Sequence, residues 1–471
     1  MPSSFWHFFF TIVGTMFLVG ILIMPFTLFV AATIVRQRRS PASSVTWLLT
    51  ILFMPLIGIP LFWLFGTRKI DRIARTKPPV ELTPQDAAGP DAAHPAMMRA
   101  AADLGSQGIT RGNALKFHSN GEEAFADFMV LIDAAQKSIS IETYELKGDE
   151  TGKAIVDRLI ARAGQGVEVR LLVDGFGSFY VPRRLLRKLR RAGAKTAFFL
   201  PVWRIPLLNR SNLRDHRKIA VFDGVRVFAG GRNLADEYLG QKPNPKRWAD
   251  LSFVLDGPAA AHYDEIFRYD WAFATREKLA PITGAPRNAP GPGNAVIQVV
   301  PSGPDVADDS IFAGMLSFIF AARQRVWIVT PYFIPNEMLA EALEIAVRRG
   351  VDVRVIVPEK SDQILVDLAR GPYLRDLEAL GSAPLLYTPS MIHGKAVLVD
   401  DVAAAIGSAN FDARSMFLNF EVTSVVHGAP EVREVEAWIK TLMAQTRTMG
   451  GKVSRGRDTI EGAARLVTPM L

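Results

Sequence analysis

DHRKIAVFDGVRVFAGGRNLADEY, Asp215 to Tyr238, and IHGKAVLVDDVAAAIGSANFDARS, Ile392 to Ser415, carry one pattern twice. Each holds His-x-Lys-x4-Asp: His216, Lys218 and Asp223 in the first copy, His393, Lys395 and Asp400 in the second. Each continues into Gly-x-x-Asn, ending on Asn233 and on Asn410. The chain has 7 His in 471 residues, and two of them fall in this repeated context. Two core histidines arising independently do not account for that repetition.

KIAVFDGVRVFAG (218–230) reads as a strand, an Asp-Gly turn and a returning strand. Residues i and i+2 of a strand share a face, so each His projects with its Lys. The returning strand brings the Gly-x-x-Asn turn near the His. Two clusters of imidazole, ammonium and amide result. Lys and Asn donors suit a phosphate, whose charge persists through reaction. A histidine can attack phosphorus or act as acid and base near neutral pH. Two histidines suit a double displacement, with one forming a phospho-histidine and the other moving the proton. Cationic side chains stand where a metal otherwise would, and no cofactor is expected.

The Asp lies seven residues past the His, an odd separation that alternation points the other way. Asp223-Gly224 is also turn chemistry, so a structural role in a turn or buried salt bridge is the reading from the residues. The carboxylate that orients a His is then sought elsewhere, in Glu421 after FLN or Asp250 in RWADLSF.

With both copies in view, the chain resembles the phospholipase D superfamily, and within it the bacterial cardiolipin synthases. The resemblance extends to RRSPASSVTWLL (38–49), LFGTRK (64–69), NLADEY (233–238), TPYFIP (330–335), GSANFDARS (407–415) and the ending ARLVTPML (464–471). It implies two similar α/β halves with the active site between them, preceded by two hydrophobic membrane helices. It implies His216, Lys218, Asp223, His393, Lys395 and Asp400 as catalytic, with Asn233, Asn410 and Ser408 holding the substrate phosphate. It also implies that two phosphatidylglycerol molecules give cardiolipin and glycerol through a phosphatidyl-histidine, with His216 favoured as nucleophile. A phospholipase D-type hydrolase, or a transferase to another alcohol, keeps the same site. One departure stands out: Gly231 occupies the place of Ser408, so the half-sites are not equivalent.

The remaining composition fits a lipid enzyme. Hydrophobic residues make up 49% and the formal net charge is +8, favouring an anionic partner. With 0 Cys, thiolate nucleophiles, disulfides and Cys-based zinc sites are excluded. Two apolar runs, about 5–34 and 45–65, each reach the ~20 residues that a spanning helix needs. The first lacks the basic start and cleavage pattern of a signal peptide. Pro55, Gly58 and Pro60 bend the second, which makes it either a span or a re-entrant hairpin. These runs argue against a nuclease of the superfamily, and no nucleic-acid partner is expected. Arg68, Lys69, Arg72, Arg75 and Lys77 outnumber Arg36, Arg38 and Arg39 between the runs. Positive-inside counting therefore puts the catalytic part on the cytoplasmic side of a bacterial inner membrane.

The expected organisation is a hydrophobic region over 1–75, a Pro/Ala/Asp-rich linker over 76–100, a first half over 101–283, a connection over 284–295 and a second half with its tail over 296–471. Strands and helices alternate in both halves, which implies parallel-sheet packing with helices on the faces. AAQKSISIETYEL (134–146) is echoed by AARQRVWIVTPYF (321–333), so the repeat covers the scaffold. VPRRLLRKLRRAG (181–193) is the densest basic stretch, either a solvated helix face or a contact for anionic headgroups, with Phe176, Phe179 and Tyr180 before it. Tyr332 reads equally as pocket lining or as core. GGKVSRGRDTIEG (450–462) reads as polar and mobile.

Overall fold

The structure, a computed structural model, describes residues 24–25, 27–36, 41–62, 77, 80, 82, 109–201, 213–280, 291–306, 309–450 and 453–466. Most of the first apolar run, of the 76–100 stretch and of the 284–295 connection lies outside these residues. The chain divides into an N-terminal unit ending at Asp71 and a second unit that holds everything described from Lys77 on.

In the N-terminal unit the second apolar run is broken. Helix α1 (Pro41–Phe53, 13 residues) stops at Met54, and α2 (Pro55–Leu61, 7 residues) starts with proline at its first turn. A Cβ on Gly58 would stand 2.8 Å from the Thr50 carbonyl oxygen, so α2 turns back against α1. Ile51, Ile59 and Phe62 bury against Val30 and Ile34. Among the described residues no helix is long and apolar enough to cross a membrane. Of the two readings of 45–65, a span or a re-entrant hairpin, the described residues form two short helices broken before Pro55, whose missing amide cannot continue the first helix.

The second unit is built twice. The first half runs β1 (Ile109–His118), α3 (Gly121–Ala134), β2 (Ser138–Thr143), α4 (Glu150–Gly164), β3 (Glu168–Asp174), α5 (Arg183–Arg191), β4 (Lys195–Phe199), β5 (Ile219–Phe222), β6 (Arg226–Gly230), β7 (Ser252–Asp256) and α6 (Ala260–Thr275). The second runs β8 (Ala295–Ser302), α7 (Ser310–Ala321), β9 (Arg325–Val329), β10 (Phe333–Ile334), α8 (Glu337–Arg348), β11 (Asp352–Pro358), α9 (Ile364–Ala379), β12 (Leu385–Tyr387), β13 (Ala396–Val399), β14 (Ala403–Gly407), β15 (Phe411–Asp412), α10 (Ala413–Phe417), β16 (Glu421–His427), α11 (Ala429–Met443), β17 (Thr446–Thr448) and α12 (Arg455–Leu466). Helix starts follow local chemistry: Asn120, Asp149 and Asn336 each accept a first-turn amide at α3, α4 and α8.

One sheet joins both halves in the order β17-β12-β11-β9-β13-β14-β16-β8-β1-β7-β6-β5-β2-β3-β4. Outward from the antiparallel β1–β8 joint, the first half reads β1-β7-β6-β5-β2-β3-β4 and the second β8-β16-β14-β13-β9-β11-β12. The two orders correspond strand for strand, which is an internal two-fold relation. The sheet is mixed rather than parallel. β2, β3 and β4 pair parallel, as do β9, β11 and β12, because a helix connects each to the next. The tight turns at Asp223-Gly224 and Asp400-Asp401 force β5–β6 and β13–β14 antiparallel. Each half has its own core. A third apolar cluster, with Ile219, Leu255 and Tyr263 from one half and Ile297, Leu398 and Trp438 from the other, fuses them.

Two segments expected to be loose are anchored. Lys77, at the start of the expected linker, is buried and ion-paired with both Asp270 and Asp305. Arg217 reaches the same two carboxylates, and Lys77 Nζ lies 4.7 Å from the centre of the Phe420 ring. Val80 and Leu82 join the shared core. Removing one partner of a buried ion network leaves uncompensated charge, so Lys77→Met is expected to cost about 3–5 kcal/mol. Thermal unfolding of the purified full chain checks this, with Lys77→Arg retaining most of the stability. At the other end α12 is a docked helix, not a mobile tail. Its buried Glu461 pairs with Arg375 and Arg457, and Arg375 also holds Asp458 at 2.9 Å.

Candidate active site

The two His-x-Lys segments stand just outside the strands they precede, at the ends of β5 and β13. Each is held by a parallel bridge to the opposite half: Asp215 pairs with Phe420, and Ile392 with Ala249. The His216 amide donates to the Phe420 carbonyl at 2.9 Å, and the His393 amide to the Ala249 carbonyl at 2.7 Å. The residue after each bridge partner is a carboxylate, Glu421 and Asp250. The topology therefore delivers a carboxylate from each half to the histidine of the other.

His216 Nδ1 donates to Glu421, with both carboxylate oxygens at 3.0 Å. His393 Nδ1 donates to Asp250 Oδ2 at 2.8 Å. Each pairing fixes the tautomer and leaves Nε2 as the lone-pair nitrogen. Lys218 Nζ donates to the His216 carbonyl at 2.6 Å, and Lys395 Nζ donates to the His393 carbonyl. Lys395 Nζ also lies 2.9 and 3.0 Å from the two ring nitrogens of His393, whereas Lys218 has no such contact with the His216 ring. Both pairs are buried.

Burial sets the electrostatics. It drives the His216 imidazole down to about 4 against the pull of Glu421. His393 falls to about 3, from burial and then Lys395. Burial also lowers Lys218 to about 8 and Lys395 to about 7. Burial pushes the Glu421 and Asp250 carboxyls up, but the facing histidine and lysine outweigh it and both end low. Each histidine feels the lysine of the other half, so the half-sites form one electrostatic cluster. In the free protein this is a pair of neutral imidazoles, a pair of carboxylates and two easily discharged ammonium groups. An anionic phosphodiester fits it.

The comparisons with known proteins agree with this geometry. Residues 128–271 and 315–443 match the family described as "Cardiolipin synthase, PLD-like domain", one match per half, and residues 18–66 match "Phospholipase_D-nuclease N-terminal". "Cardiolipin synthase 1" of Bacillus cereus is 31% identical over 98% of this chain and 94% of its own. "Cardiolipin synthase A" of Pseudomonas aeruginosa is 34% identical over 96% and 95%. The chain belongs to the phospholipase D-like cardiolipin synthase family. It shares the fold of the phosphatidylserine synthase of Haemophilus influenzae, with TM-score 0.60 and 16% identity over 80% of this chain and 100% of that one.

Within this cardiolipin synthase family member, the motif aspartates stand apart from the cluster. Asp223 and Asp400 occupy left-handed turn positions, with φ of 53° and 50°. The Asp223 carboxylate accepts the amides of Gln136, Lys137 and Ser138 at 2.7–2.9 Å. Asp400 accepts those of Arg323, Gln324 and Arg325 at 2.8–3.0 Å. These bonds stitch each hairpin to the start of the adjacent strand, β2 or β9. Asp223→Ala is expected to cost about 3 kcal/mol through lost bonds to a charged acceptor. Its kcat per folded molecule should stay near wild type, as denaturant titration beside activity will show.

Both Gly-x-x-Asn turns end on buried asparagines. Asn233 Oδ1 accepts the Glu145 amide at 3.4 Å, and the buried Asn410 Oδ1 lacks a protein partner, leaving capacity for a ligand. Ser408 donates to Glu421 and accepts the Val422 amide at 2.9 Å. Its counterpart Gly231 has no room for a side chain: a Cβ there would sit 2.1 Å from Asp250 Oδ1. The shorter Asp250 fills the space that Ser408 takes beside the longer Glu421, which explains the asymmetry between the copies.

Four site residues escaped the sequence reading. The Tyr144 ring meets His216 edge-on with ring centres 5.1 Å apart, and Tyr238 and Trp248 pack on His393 with ring centres 4.8 and 5.7 Å away. Arg232 braces the carbonyls of His118, Ser119 and Asp250. Tyr238 and Trp248 sit inside the quoted motifs NLADEY and RWADLSF, and that position was the available signal. Tyr332, read as either lining or core, donates its hydroxyl to Asp362 at 2.6 Å.

The pH dependence follows from these shifts. The histidines are neutral above about 4, and the lysines are charged below about 7–8. The free-enzyme kcat/KM should therefore fall as pH rises through 7–8, because the phosphate clamp discharges. A profile flat from about pH 6 to 9.5 would contradict this assignment.

Proposed function

We propose that this protein is a membrane-bound phosphatidyltransferase that converts two phosphatidylglycerol molecules into cardiolipin and glycerol. The observation that carries the reading is the crossed pair of His–carboxylate contacts, with two lysines, in one buried cluster. His216 is the nucleophile, because its Nε2 is free of the ammonium that crowds both nitrogens of His393. It attacks phosphorus, the bond to the headgroup glycerol oxygen breaks, and phosphatidyl-His216 forms. Lys218, Lys395, Asn233 and Asn410 hold the phosphate oxygens. The incoming anion offsets the two lysines and lets His393 carry a second proton beside Asp250. That proton goes to the leaving glycerol. His393 then takes the proton of a second phosphatidylglycerol's free hydroxyl, which attacks phosphorus and breaks the P–N bond. Aromatic walls around both imidazoles disfavour water as the acceptor.

The N-terminal unit supports membrane attachment. Leu49, Leu52, Phe53, Met54, Leu56 and Ile57 are all exposed on α1, α2 and the residue between them. Water is a poor solvent for such a surface. The broken 41–61 segment is proposed to enter the bilayer as a re-entrant hairpin in a bacterial inner membrane, with the catalytic unit on the cytoplasmic side. Purified full-length protein given phosphatidylglycerol alone tests the reading. Cardiolipin with equimolar glycerol is expected by mass spectrometry. Phosphatidic acid alone would make water the acceptor and overturn it.

A further inference from the structure

Helix α5, RRLLRKLRR, carries six cations in nine residues and no acidic residue. Leu185, Leu186 and Leu189 are buried, so the cations cover the outer face. The corresponding helix of the second half, α9, has two arginines and three acidic residues, so the internal repeat does not require a basic helix here.

Immediately before α5 the chain exposes three aromatic rings: Phe176 at 60%, Phe179 at 51% and Tyr180 at 90%. They are not on a loose loop. Asp174 accepts the amides of Phe176 and Gly177 at 2.7 and 3.0 Å, and Ser178 Oγ donates to the Tyr144 carbonyl at 3.0 Å. The same Asp174 accepts the amide of Asp215, the residue before His216, at 3.0 Å, and Tyr144 is the ring against His216. The two-fold relation supplies a second apolar tip. Ile364 and Leu365, at the start of α9, are 77% and 50% exposed. Both tips follow the carboxyl ends of the corresponding parallel strands β3 and β11. β5 and β13 run antiparallel to β2 and β9, so the histidines preceding them lie at that same end of the sheet.

We propose that this end of the catalytic unit is a docking face for an anionic lipid surface. The aromatic and aliphatic tips enter the interface on either side of the active-site entrance, and α5 binds headgroups. Aromatic rings flanked by cations suit the headgroup boundary, where the ring body is apolar and the cations meet phosphate. The face draws the acidic phosphodiester toward His216 without the lipid leaving the bilayer. The inference rests on the phosphatidyltransferase reading, and its test separates the two.

The chain has 0 cysteines, so single-cysteine labelling is clean. Full-length Tyr180→Cys, Ile364→Cys and Val130→Cys proteins carry an environment-sensitive fluorophore. Val130 is exposed near the end of α3, which leads into the opposite end of β2. Each is reconstituted into phosphatidylglycerol/phosphatidylcholine vesicles containing shallow nitroxide-labelled lipid. The probes at 180 and 364 should be quenched and blue-shifted, and the probe at 130 should not. Arg184→Glu/Arg187→Glu/Lys188→Glu/Arg191→Glu should raise the apparent KM for vesicle phosphatidylglycerol by at least about 10-fold. The matching Lys-for-Arg variant should keep the wild-type value. Water-exposed probes at 180 and 364 in vesicles that are making cardiolipin would overturn the docking face and leave the activity standing. Quenching without product would do the reverse.

Discussion

Full-length His216→Ala is expected to lose at least about 10⁴-fold in transfer, because on the proposed mechanism His216 carries the covalent intermediate. His393→Ala is expected to lose about 10²–10⁴-fold, the range for a missing general acid and base. The two losses differ in kind, and an activated substrate separates them. A phosphatidyl p-nitrophenyl ester has a leaving group that needs no proton. With it, His393→Ala should release one equivalent of p-nitrophenol in a burst and then stall, since nothing deprotonates the acceptor. His216→Ala should give no burst. Equal bursts from both variants would show that the histidines are interchangeable, and the reading of Lys395 against the His393 ring would fall.

The second large effect concerns the crossed carboxylates. Glu421→Gln and Asp250→Asn keep shape and remove charge. Each amide can present an N–H to Nδ1 and so favour the tautomer that protonates Nε2. A change of this type at an orienting carboxylate costs up to about 10⁴-fold in kcat. Glu421 faces His216, so Glu421→Gln should slow the burst with the activated ester. Asp250 faces His393, so Asp250→Asn should spare the burst and slow turnover with phosphatidylglycerol. Because each carboxylate comes from the half opposite its histidine, this pattern also tests the interleaving of the halves. The reverse pattern, with Asp250→Asn slowing the burst, would mean that the nucleophile is His393.

Much of this was legible in the residues. The duplicated His-x-Lys pattern and the echo of 134–146 in 321–333 predicted two similar halves, and the paired strand orders match them. The odd seven-residue offset placed Asp223 and Asp400 on the far side of the alternation, and their carboxylates do cap the neighbouring loop. Glu421, after FLN, and Asp250, in RWADLSF, were named as candidates once the motif aspartates had been assigned to turns. Their crossing was not, since it depends on two bridges between segments some 140–200 residues apart, Asp215 with Phe420 and Ala249 with Ile392. Lys77 was counted among the basic residues that follow the second apolar run. Its partners lie 193 and 228 residues away, and no local spacing reports a contact of that kind. The antiparallel part of each half was read only at its hairpin; for the rest, helix–strand alternation implied parallel packing, and the antiparallel joints through β1, β7, β8 and β16 carry no local signal. The docked helix at 455–466 looked mobile because its average composition is polar, while one buried Glu461 and one buried Ala464 fasten it.

The most direct measurement is the site of the covalent adduct. His393→Ala protein is mixed with the activated phosphatidyl ester, quenched within the burst, digested and mapped by mass spectrometry under conditions that preserve P–N bonds. A phosphatidyl group on the peptide carrying His216, and on no other, is the predicted result. A complete burst with no adduct on His216 would contradict the double displacement at this residue.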